Sequence, residues 1–153
     1  MSTLTAPSTA AATAQLLTEN WLRNVFPSNL YTVEGRAASV ELDGEHPAAI
    51  VVTHADATND TGRVPLLVVE VSDAPVTVYP AEEAGRFAVA GVRDYWVIEV
   101  VARRLHVYRD PRPDPDAKYG HSYKQVRVFS PNALIAPLAA ELHLAQVINL
   151  LPW

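Results

Sequence analysis

A chain of 153 residues is long enough for one domain with a real core, and 49% hydrophobic against 19% charged residues excludes an intrinsically disordered segment. The lack of cysteine excludes disulfides and thiolate chemistry and agrees with a reducing cytoplasm, and no stretch approaches the roughly 18 apolar residues of a membrane span. A net charge of −5 does not advertise a nucleic-acid binder, although residues 103–127 carry 7 basic and 3 acidic side chains where residues 1–102 carry 5 and 13.

Residues 1–12 are rich in Ala, Ser and Thr and have no basic start, so they read as a flexible lead-in to a single domain over 13–153. Leu16, Leu17, Trp21, Leu22 and Val25 fall on one face of a helix from Thr13 to Phe26, stopped by Pro27-Ser28-Asn29. Short strands follow at Leu30–Val33, with Glu34-Gly35 as a turn or bulge, and at Ala37–Leu42, ended by the turn signal Asp43-Gly44-Glu45. His46-Pro47 introduces a strand at Ala48–Val52, and Thr53–Arg63 is polar and loop-like.

The next stretch organises the chain. Leu66, Leu67, Val68, Val69 and Val71 make an apolar strand with one carboxylate, Glu70, set among them. An ionised side chain there needs a hydrogen-bond donor, a cation or water. Pro80 suits the first turn of a helix over Ala81–Ala90, and Gly91 ends it. Tyr95–Val101 and Arg104–Tyr108 read as an antiparallel hairpin, and Asp110–Gly120, with three prolines and three aspartates, as a loop. Ser122–Phe129 alternates as a strand, and Leu134–Leu151 closes the chain with a short β or irregular piece and a helix over Leu144–Leu151. The order implies a mixed α/β (α+β) sheet flanked by helices.

The five histidines (His46, His54, His106, His121 and His143) lack metal-ligand spacing and read as surface or half-buried residues, and Tyr95 and Trp96 read as packing groups. Among the basic residues, Arg103, Arg104, Arg109 and Lys124 are the candidates for phosphate contact, against the plainer reading of a solvated hairpin face.

Several stretches carry a resemblance: Val69-Glu70-Val71-Ser72-Asp73, Ala90-Gly91-Val92 followed by Tyr95-Trp96-Val97-Ile98, Val107-Tyr108-Arg109-Asp110-Pro111, and Ser130-Pro131. From Leu67 onward the chain resembles the Uma-two family of restriction endonucleases, a branch of the PD-(D/E)xK nuclease-like superfamily. The resemblance implies a restriction-endonuclease-like core, a DNA substrate and a homodimer. It also implies phosphodiester hydrolysis by water activated on Mg²⁺, held by two carboxylates with a lysine nearby.

Residue for residue, Glu70 matches the family glutamate. Ala48 stands where an aspartate follows a proline, Tyr79 at the helix aspartate and Glu83 at the lysine. The leading expectation is therefore weakened or lost hydrolysis. The alternative is an active endonuclease using Glu70, Glu83 and a replacement carboxylate, with Asp43, Glu45 and His46 as the nearest loop candidates.

Overall fold

The computed structural model describes residues 9–36, 39–41, 44–46, 48–56, 64–73 and 78–152, with side chains described outside 39–46 and 78–83. Helix α1 spans Thr9–Val25 and starts four residues earlier than the Leu/Trp periodicity suggests, because Ala11 and Ala14 extend the same buried face as Leu22 and Val25. Helix α2 spans Val78–Val89, and Gly91 after it adopts φ 87°, a conformation that favours glycine.

The strands of the main sheet are β1 (Tyr31–Arg36), β4 (Ala48–His54), β5 (Leu67–Ser72), β6 (Asp94–Glu99), β7 (Arg104–Pro113) and β8 (His121–Phe129), joined in the order β1-β4-β5-β6-β7-β8. Only β5 and β6 run parallel, as the helical crossover through α2 requires. Strands β2 (Ser39–Glu41) and β3 (Gly44–His46) form a separate small hairpin, and β9 (Leu134–Ile135) pairs with β10 (Ala145–Gln146).

Pleating sorts the side chains into two cores. On one face Ile50, Val52, Leu67, Val69, Trp96, Ile98 and Leu105 pack under α1, where Trp21 stacks on Trp96 at 6.1 Å between ring centres. On the other, Val68, Tyr95, Val97 and Tyr108 pack with Ala84 and Ala88 of α2. The sheet is thus covered on both faces, and a carboxylate on β5 or β6 faces one helix or the other.

Three expectations change. Strand β1 runs through Glu34-Gly35 instead of turning there, since β4 pairs with it as far as Arg36↔Ala49. A side chain at Gly35 would displace the Glu19 carboxylate of α1. The loop at Asp110–Gly120 is shorter than the prolines imply, because Pro111 pairs with Tyr123 and Pro113 with His121. Strand β6 pairs with β7 only as far as Asp94↔Arg109, so beyond that point one side of β7 has no ladder for the prolines to interrupt. Finally, residues 144–151 form β10 and a 3₁₀ turn over Val147–Leu150 rather than an α-helix; Pro152 follows at once and leaves no room for further turns.

Candidate functional site

Glu70 lies in the second half of β5, opposite Ala49 of β4 on one side and Val97 of β6 on the other. It shares the α2 face with Val68, Tyr95 and Val97, and it is partly buried. The Tyr95 hydroxyl donates to Glu70 Oε1 at 2.5 Å. Burial first, and then the charge and hydrogen bond of Glu70, push the Tyr95 phenol well above its ordinary range, so it stays a protonated donor. Burial also raises Tyr108, with further contributions from the charges of Glu70 and Glu99.

Glu99 is the second carboxylate on this face. It follows Tyr95 and Val97 in alternation, pairs with Ser72 and is 2% exposed. Arg104 Nε donates to its Oε1 at 2.9 Å, and His106 Nε2 lies 2.8 Å from the same atom. A buried carboxylate between a guanidinium and an imidazole has its charge balanced in place. His106 is accordingly buried, at 7% exposure, rather than at the surface.

On the opposite face Asp94 is fully buried and accepts from Arg109 Nε at 2.9 Å, Trp96 Nε1 at 2.7 Å and the Leu138 amide at 2.9 Å. Burial still pushes its carboxyl up, against the lowering effect of Arg109, Leu138 and Trp96. Arg109 also donates to the Ala136 carbonyl at 2.7 Å, so this node ties β6 and β7 to the segment before the 3₁₀ turn at Leu138–Ala140.

These pairs decide what the predicted residues can do. Arg104 and Arg109 are engaged with Glu99 and Asp94, and Arg103, at φ 56° in the turn between β6 and β7, donates to the Pro152 carbonyl. Of the four basic candidates, Lys124 is the one on an exposed strand position outside any described ion pair. Ala48 is 2% exposed and pairs with Val71, which places it on the α1 side; Ala49, one residue on, is the β4 position across from Glu70. Tyr79 and Glu83 lie on α2, whose side chains at those positions are outside the described residues, as are Asp43 and the side chains of Glu45 and His46.

Magnesium needs several oxygen ligands converging on one point. Among the described residues no three His, Asp or Glu side chains gather around a common position. Across β4, Ala49 is the position opposite Glu70, so the neighbouring strand presents a methyl group there. A cavity of about 730 Å³ opens elsewhere, before β5 and β6, lined by residues including Leu66, Arg93, Asp110 and Gln125.

Sequence reasoning found Glu70 from its charge in an apolar run, but missed Tyr95 as its donor, Glu99 and Asp94. Alternation from Tyr95 to Glu99 was the available signal, since it puts both on the face of β6 that adjoins Glu70.

The sequence model of the family described as Uma2, "Putative restriction endonuclease", matches residues 2–146. A solved structure described as a "putative nuclease belonging to DUF820 from Anabaena variabilis ATCC 29413" superposes with a TM-score of 0.65 at 16% identity, covering 94% of this chain and 81% of that one. At that identity the likeness concerns the fold. No curated protein matches the chain. Among the described residues, no helix is long and apolar enough to cross a membrane.

Proposed function

The chain belongs to the Uma2 restriction-endonuclease family, and from that premise we propose that it is a single nuclease-like domain whose metal-dependent phosphodiester hydrolysis is weakened or lost. One observation carries this reading. Ala49 faces Glu70 across β4 and β5, so the neighbouring strand offers a methyl group in place of a second ligand. A single carboxylate leaves Mg²⁺ mostly hydrated and weakly held. The domain then serves as a DNA-associated or oligomeric partner in the cytoplasm. Exposed Leu134, Leu138, Leu142, Leu144 and Ile148 of the C-terminal segment support a homodimer.

A second reading keeps activity through Glu70, Glu83 and a replacement carboxylate. Its support is that Ala84 and Ala88 pack on Val68 and Tyr95, so α2 runs over the face that Glu70 shares. Plasmid nicking in Mg²⁺ or Mn²⁺ separates the two. The proposal expects no metal-dependent nicking above background; nicking by the wild type that vanishes in Glu70→Ala establishes the second reading.

A further inference from the structure

We propose that Tyr95 is the positioning residue of Glu70: its buried hydroxyl holds one carboxylate oxygen and so fixes the direction in which that carboxylate faces. The inference concerns the geometry of Glu70 whether or not hydrolysis survives. It therefore stands or falls separately from the functional reading above.

The position of the Tyr95 ring is fixed by its surroundings. Tyr95 is 1% exposed and pairs with Val68, two residues before Glu70 on the same strand face. Phe87 of α2 stacks on it at 4.6 Å, with Tyr108 at 5.2 Å and Tyr123 at 6.4 Å. Tyr123 is itself fixed by donating to the Val92 carbonyl at 2.6 Å. A ring enclosed by three aromatic neighbours cannot swing without repacking them, so the sheet and α2 set where its hydroxyl sits.

Glu70 is the less enclosed partner of the two. It is partly buried, and a glutamate side chain has three rotatable bonds against two for tyrosine. A rigid donor meeting a longer, less enclosed acceptor orients the acceptor. The bond is charge-assisted, which makes it stronger than a neutral pair, and the phenol remains protonated throughout the ordinary pH range. Burying a tyrosine hydroxyl requires an acceptor, and Glu70 supplies it. The glutamate at this position thus has a structural role that does not require a metal.

The test uses the full chain. Side-chain ¹³C relaxation reads the order of the Glu70 methylenes, and the hydroxyl proton of Tyr95 is assigned by its loss in Tyr95→Phe. We expect Glu70 to be ordered in the wild type and measurably less ordered in Tyr95→Phe. A Tyr95 that served only to fill the core would leave Glu70 unchanged. The hydroxyl proton should persist, shifted, in Glu70→Gln, whose amide oxygen still accepts, and be lost to rapid exchange in Glu70→Ala. Urea unfolding of both single variants (Tyr95→Phe and Glu70→Ala) and their double variant should depart from additivity by about tenfold in the unfolding constant. Unchanged Glu70 order in Tyr95→Phe, or a hydroxyl proton indifferent to Glu70→Ala, overturns the proposal. If Tyr95→Phe does not fold, the two Glu70 variants decide it alone, with the hydroxyl assigned through bonds to its ring.

Discussion

Asp94 and Glu70 stand on neighbouring parallel strands, one on each face of the same sheet, and their surroundings have little in common. Asp94 is sealed from water and met by a guanidinium, an indole and a backbone amide. Glu70 is only partly buried, and the Tyr95 phenol donates to it. The first environment consumes the carboxylate in holding β6, β7 and the Leu138 segment together. The second leaves a carboxylate oriented on a face that also holds Glu99 and His106. Exposure, more than the presence of a carboxylate in an apolar strand, separates an architectural acid from one that chemistry could use.

The largest effect that sharpens this contrast belongs to Asp94→Ala, which strands Arg109, Trp96 and the Leu138 amide. Denaturant unfolding should show a loss of about 3–5 kcal/mol, as for other broken buried pairs. A loss below about 1 kcal/mol would mean that the node is looser than its distances imply.

Next come the two alanines of β4. Ala48→Asp places an acid in the closed α1 face and should cost about 2–3 kcal/mol, whereas Ala49→Asp, on a partly buried position facing Glu70, should cost about 1 kcal/mol or less. Equal costs would contradict the register Ala49↔Glu70.

Acidity provides a smaller test. The folded-state pKa of Asp94 is raised above 3.8, so the folded state takes up this proton before the unfolded state does. That term adds stability as pH falls from the raised value to 3.8 and is a constant penalty above the raised value. The stability of wild type relative to Asp94→Asn should therefore grow as pH falls through the window just above 3.8. A difference that shrinks on acidification would reverse the assigned direction.

The smallest effect is expected at Lys124. Lys124→Ala should change stability by no more than about 0.5 kcal/mol, while reducing the salt slope of any DNA binding by about 1. Arg109→Ala should do the opposite, lowering stability chiefly, because its guanidinium is committed to Asp94 and Ala136.

The fold was largely legible where local chemistry and tertiary pairing agree. The apolar run at β5, Gly91 after α2, and the alternation of β6 and β7 each specify their element through nearby residues, whereas α2 starts at Val78, three residues before the Ala81 expected from Pro80. Pro111 and Pro113 misled because their tolerance depends on where β6 stops, which no local signal carries. The C-terminal leucines suggested a helix by spacing, yet Pro152 and the pairing of β9 with β10 leave only a 3₁₀ turn. The same divide runs through the site. Glu70 stands out from its own strand, but Tyr95 as its donor, and Glu99 with Arg104 and His106, emerge only when strands are set in register.

Calorimetric titration of the wild type and Ala49→Asp with Mn²⁺ tests the central claim most directly, since the claim is that the strand facing Glu70 lacks the second ligand. The account predicts no saturable heat for the wild type and measurable binding for Ala49→Asp. Saturable binding by the wild type that disappears in Glu70→Ala would contradict it.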